Sequence, residues 1–185
     1  AFLDQVVNDV SGAAYGSEKI FDLSKLSPDT PVYFLALKTI GDSSEASVNN
    51  FYWLSTKPDV LDEGKSTWFV TPNKSFADFT ALNRLPEAKV QAHVVLETHN
   101  DTAGAEVTLT NSGDTLAFFI EMKIVDTKSQ QLLTPVFWDD NYVSLPPHAA
   151  KTFHVRFPVG ETPEVKLHGW NVKSQKVTTA TFNKS

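Results

Sequence analysis

The stretch Val90-Gln91-Ala92-His93-Val94-Val95-Leu96-Glu97 sets Val90, Ala92, Val94 and Leu96 against Gln91, His93, Val95 and Glu97. Successive side chains of an extended chain leave on opposite sides, so this period of two describes a strand with one face inward and a mostly polar face outward. Phe118, Ile120, Met122 and Ile124 repeat the pattern around Glu121 and Lys123, and Phe153, Val155 and Phe157 repeat it against Thr152, His154 and Arg156. Such alternation belongs to antiparallel sheets that are wet on one side. Shorter strands are expected at 106–110, 132–138, 141–145, 165–170 and 176–181, with turn chemistry at Asn111-Ser112-Gly113-Asp114, Asp126-Thr127-Lys128-Ser129, Pro146-Pro147-His148 and Pro158-Val159-Gly160-Glu161. Seven or eight strands within about 100 residues, with no amphipathic helix among them, predict a complete immunoglobulin-like β-sandwich over residues 86–185.

Working back from there, strands are expected at 19–23, 31–40 and 49–55, with a weaker one at 4–10. The run from Val32 to Leu37 is apolar on both faces, like a central strand. Four strands fall short of the roughly seven that close such a sandwich. Residues 1–62 therefore read as a partial immunoglobulin-like domain whose opening strands are missing, with an apolar face including Tyr33, Leu35, Leu37, Phe51 and Trp53 left uncovered and Trp53 placed in the core. Residues 63–85 read as a linker segment, although Phe76-Ala77-Asp78-Phe79-Thr80-Ala81-Leu82 carries enough apolar residues to be packed against something. The fold class is all-β: an immunoglobulin-like sandwich preceded by a partial second one.

Composition narrows the function classes. Valine, leucine, phenylalanine and isoleucine supply 52 of 185 residues, about 28%, above the roughly 20% below which a core is hard to bury. No apolar stretch approaches the roughly 18 residues of a membrane-spanning helix, so no membrane partner is expected. A net charge of −6 without any basic run argues against nucleic acid. With no cysteine, disulfides and thiolate sites are excluded. Ala1-Phe2-Leu3-Asp4 has no basic n-region, so no signal peptide is expected within the chain. The triplets beginning at Asn73, Asn100 and Asn183 are glycosylation sequons, compatible with an exported compartment (extracellular or periplasmic).

No constellation suggests catalysis, a cofactor or a metal. Retaining glycoside hydrolysis needs two carboxylates about 5 Å apart, and the acids here are scattered over turns and outward strand positions. Asp139 and Asp140 are adjacent, so on an extended chain they point to opposite faces. His93, Glu97 and His99 share an outward face, but strand rise spreads them over roughly 13 and 7 Å, too far for one zinc. There is no Gly-x-Ser-x-Gly elbow to expose a nucleophile. What remains is Trp138-Asp139-Asp140-Asn141-Tyr142, where aromatic surface stands beside hydrogen-bonding groups, the pairing that sugar recognition uses. Two readings stay open for it: a carbohydrate-contact loop, and a turn whose acids satisfy local backbone donors.

Longer strings add a resemblance. The segment Asn50-Phe51-Tyr52-Trp53-Leu54-Ser55-Thr56-Lys57-Pro58-Asp59-Val60-Leu61-Asp62 resembles the strand and exit that close the fourth domain of glycoside hydrolase family 2 enzymes of the exo-β-D-glucosaminidase and β-mannosidase type. Ala77-Asp78-Phe79-Thr80-Ala81-Leu82-Asn83-Arg84-Leu85-Pro86 is similar to the segment that leads onward. Thr110-Asn111-Ser112-Gly113-Asp114-Thr115-Leu116-Ala117-Phe118-Phe119-Ile120 and Pro135-Val136-Phe137-Trp138-Asp139-Asp140-Asn141-Tyr142 are similar to strings in the terminal immunoglobulin-like domain. In that family the catalytic glutamates sit on an upstream (β/α)8 barrel, the acid/base in an Asn-Glu dipeptide that this chain lacks. The resemblance implies a non-catalytic C-terminal accessory region of a retaining β-glycosidase. It would pack against the catalytic barrel, and the loop at 138–142 would border the entrance for an oligosaccharide substrate. A carbohydrate-binding module and an adhesion-type sandwich are the alternatives.

Overall fold

A computed structural model describes residues 14–38, 49–99, 102–159, 163–177 and 179–181. The chain divides into two compact units, residues 1–79 and 80–185. The segment read as a linker is thereby shared between them: 63–79 folds with the first unit, and Thr80–Arg84 opens the second as a 3-10 turn with Leu82 buried.

In the first unit, β1 (Val32–Lys38) pairs antiparallel with β2 (Asn49–Ser55), and β3 (Val60–Leu61) with β4 (Asn73–Ser75). The register joins Phe34 to Trp53 and Ala36 to Phe51, and the rings of Phe34 and Phe51 stack at 5.7 Å. Phe51 and Trp53 therefore share a face with Phe34, not with Tyr33, Leu35 and Leu37 as expected. Apolar side chains line both faces of the pair. Trp53 is 40% exposed, so its placement in the core is corrected: a two-stranded ribbon gives an indole a floor but no ceiling. The strand expected at 19–23 is also absent. Asp22 accepts bonds from the Ser24 N–H and hydroxyl, which caps a 3-10 turn at Leu23–Lys25 instead. The strand expected at 4–10 lies outside the described residues.

The second unit is a two-sheet sandwich. One sheet has the order β13 (Thr179–Thr181), β5 (Val90–His99), β6 (Thr102–Asn111), β10 (Ala150–Phe157), β8 (Phe137–Trp138). The other runs β12 (Gln175–Val177), β11 (Pro163–His168), β7 (Ala117–Asp126), β9 (Val143–Leu145). Val94, Val107, Leu109, Phe153 and Val155 from the first sheet meet Ile120, Met122, Ile124, Val165 and Leu167 from the second, all 2% exposed or less. The alternation of β5 and β10 thus does what the sequence pattern predicts, whereas in β7 it holds from Ile120 to Ile124: the register shift between Ala117 and Ile120 puts Ala117 in the core cluster, and Phe118, though buried, packs against Trp170.

Three expected strands come out differently. Of 132–138, only Phe137–Trp138 is strand, and Leu132 makes a single bridge to Val125. Pro135 offers no N–H to extend a ladder between them. The strand at 141–145 begins at Val143, and 176–181 is two strands in different sheets, β12 pairing with β11 and β13 lying parallel to β5.

Candidate functional site

The sequence singles out Trp138, Asp139, Asp140, Asn141 and Tyr142, and the fold places them on the crossing from β8 in one sheet to β9 in the other. Trp138 pairs with Val155 of β10, and its side chain packs, half-buried, against the core. Phe137, its neighbour, points outward at 59% exposure, with the Arg156 guanidinium 5.9 Å from the ring centroid. The Asp139 N–H donates to His154 O at 3.0 Å, which carries the ladder one residue beyond β8.

The two carboxylates part as adjacent positions should. Asp139 Oδ2 lies 3.2 Å from His154 Nδ1, and Glu106 Oε1 lies 3.4 Å from Nε2 of the same ring. The hydrogen bond to Asp139 raises the histidine above its ordinary pKa, burial opposes it, and Glu106 adds to the rise. Asp140 takes the other direction: Oδ2 accepts from Lys151 Nζ at 2.6 Å and Oδ1 from the Asn141 N–H at 2.9 Å. Each acid thus has its own basic partner, His154 for Asp139 and Lys151 for Asp140.

Asn141 does something the sequence does not announce. Its Oδ1 accepts from the Met122 N–H at 2.8 Å and its Nδ2 donates to Met122 O at 2.9 Å. The side-chain amide stands in for a backbone amide opposite Met122, continuing the β9 register two residues upstream of Val143. This fixes Tyr142, whose φ of 55° lies in the left-handed region that bulky residues rarely adopt. Phe119 of β7 has a φ of 54°, at the register shift between Ala117 and Ile120. The two rings meet at 5.4 Å, tilted by 45°. Tyr142 donates its hydroxyl to Glu121 Oε1 at 2.6 Å, and Lys123 Nζ and His168 Nε2 approach the other carboxylate oxygen at 2.9 and 3.3 Å. Burial works to raise the Glu121 pKa, but these partners outweigh it and hold the carboxyl below its usual range, while the phenol is raised by its bond to Glu121.

The surface at this corner is therefore an aromatic shelf, Tyr142 on Phe119, beside the charged groups of Glu121 and Asp140. Phe119 and Glu121 join the expected five residues through a bulge and a long-range bond, neither of which a period-two pattern reveals. Among the described residues, no group of three histidine, aspartate or glutamate side chains converges as a metal site would require. His93 stands on an exposed strand face. A shallow pocket of about 310 Å³ lies elsewhere, lined by Asp126, Ser129, Gln131, Leu132, Leu133, Thr134 and Pro158, with no aromatic ring in its wall.

Comparison with known proteins gives one consistent result. A family model described as the exo-β-D-glucosaminidase Ig-fold domain matches residues 68–172, more than half of the chain. An exo-β-D-glucosaminidase of Arthroderma benhamiae is 37% identical over 161 residues, covering 87% of this chain and 18% of the relative. One from Amycolatopsis orientalis is 41% identical over 157 residues, 78% of this chain and 15% of the relative. Among solved structures, the Amycolatopsis orientalis exo-chitosanase CsxA superposes with a TM-score of 0.73 at 36% identity, over 80% of this chain and 18% of that one. This chain thus spans less than a fifth of the length of the proteins it matches.

Proposed function

From the premise that the chain belongs to the exo-β-D-glucosaminidase Ig-fold domain family, we propose that it is the non-catalytic accessory region of a larger retaining β-glycosidase of family 2. The observation that carries this is the alignment: 78–87% of the chain matches a small fraction of each glucosaminidase relative. A segment with no carboxylate pair of its own contributes by packing against the catalytic part. The substrate class is an oligosaccharide of β-linked amino sugars, following the names of the relatives. An exported compartment fits a polysaccharide substrate and the three sequons. Within the loop Trp138 to Tyr142, Asp140 and Tyr142 present the polar group and the ring surface by which this corner would border the substrate entrance, with Asn141 positioning Tyr142 through Met122.

Kinetics on the full-length enzyme test the reading. Asp140→Ala is the cleaner variant, because Trp138 also packs on the core. We expect it to lower kcat/KM for an oligosaccharide by roughly tenfold and to leave a short chromogenic glycoside within about twofold, since only the longer substrate reaches the rim. Trp138→Ala should show the same ordering. Equal effects on both substrates, or none on either, would assign the loop a purely structural part. Glycan binding by the isolated chain would favour a carbohydrate-binding module instead.

A further inference from the structure

The hairpin tip between β3 and β4 holds two aromatic rings out to solvent. The Thr67 N–H donates to Val70 O at 2.8 Å, and the Thr67 hydroxyl both donates to that oxygen and accepts from the Val70 N–H, each at 3.2 Å. Below this turn, the hydroxyls of Ser66 and Thr71 meet at 2.8 Å, and the Asp62 N–H donates to Pro72 O at 2.8 Å. The tip is built to keep its shape. Its two central positions, which turns normally fill with proline, glycine, asparagine or aspartate, carry Trp68 and Phe69. They are 93% and 68% exposed, with their rings edge to face at 4.8 Å. Val70 beside them and Leu61 at the base are half exposed as well. Aromatic anchors of this kind dominate the energetics of interfaces, and a turn already closed by hydrogen bonds has little freedom left to lose on docking.

We propose that Trp68 and Phe69 insert into an apolar cleft on the remainder of the same polypeptide; this rests on the reading of the chain as one segment of a larger glycosidase. Area selects this occupant. Two such rings bury about 150–250 Å² each, and even doubled for the partner's share this falls below the roughly 1,200–2,000 Å² of a stable interface between separate proteins. A second copy of the chain held by these two rings alone would be bound too weakly. A segment tethered within one polypeptide docks at an effective concentration on the order of millimolar, where a small anchored contact suffices. Relatives matched over only 15–18% of their length have ample chain to supply the cleft.

Hydroxyl-radical footprinting read by mass spectrometry, on the 185-residue chain and on the full-length polypeptide, tests this directly. Oxidation of Trp68 and Phe69 should fall at least about tenfold in the full-length protein. If other residues of this segment become protected while Trp68 and Phe69 react unchanged, the anchor is disproved and the accessory reading stands. If nothing in the segment is protected, both fail. If the isolated chain already shows protection that grows with concentration, the occupant is a second copy and the proposal is overturned.

Discussion

Asn111, Asn141 and Asn171 each fill a gap in the ladders with a side-chain amide. Asn111, fully buried, donates through Nδ2 to the carbonyls of Thr115, Leu145 and Pro146 at 2.8 to 3.1 Å, and its Oδ1 accepts from the Gly113 N–H. Asn171 donates to Pro86 O and Leu116 O and accepts from the Phe118 N–H. A buried carbonyl without a donor costs about 1–3 kcal/mol. Asn111→Ala should therefore lower the stability of the second unit by about 2–3 kcal/mol in urea unfolding. Asn111→Asp, which sets a buried charge against three carbonyl oxygens, should cost more, about 3–5 kcal/mol. An aspartate variant no less stable than the alanine one would refute this account. At the surface, His154 offers a second test. Its folded pKa is raised, so the small stabilisation from Asp139 and Glu106 is complete below the ordinary histidine value and is lost as pH rises through the folded pKa. The ring is 61% exposed, which keeps the effect small. Asp139→Asn should lower the His154 titration midpoint towards the ordinary value in an NMR titration; an unmoved midpoint would exclude Asp139 as the main cause.

Strands differ in how much of themselves they write into the sequence. β10 is legible because its partners on both sides leave one face in the core, where Phe153, Val155 and Phe157 stand in strict alternation. Phe153→Ala should cost about 3–5 kcal/mol, as full burial dictates. Phe137→Ala, at an exposed position two strands from the centre, should cost less than about 1 kcal/mol. Comparable losses for the two in the same denaturation experiment would contradict the sheet assignment. β9 and β12 are legible only in part, since three residues carry too little pattern to fix an end. The candidate corner shares this limit. The pattern identifies Trp138 to Tyr142 as aromatic and polar together, but which polar atoms are already engaged depends on Met122, His154 and Lys151, distant in sequence and adjacent only after the sheets form.

Across the whole chain, an all-β fold and a sandwich in the C-terminal half follow from period-two alternation and turn residues, because both are local consequences of what a sheet buries. The crossing of residues 175–181 between sheets has no such local cause: alternation says which side chains turn inward, never which neighbour accepts the backbone. That crossing leaves β13 parallel to β5, with Thr179 beside Val94 and Thr181 beside Leu96. Tension applied between the start of β5 and the end of β13 would pull these two strands past each other along their length. Their hydrogen bonds would bear the load together rather than opening one by one, as they would in a hairpin pulled from its free ends. The last strand among the described residues is thus placed to act as a mechanical clasp, giving resistance to extension that depends on the direction of pull.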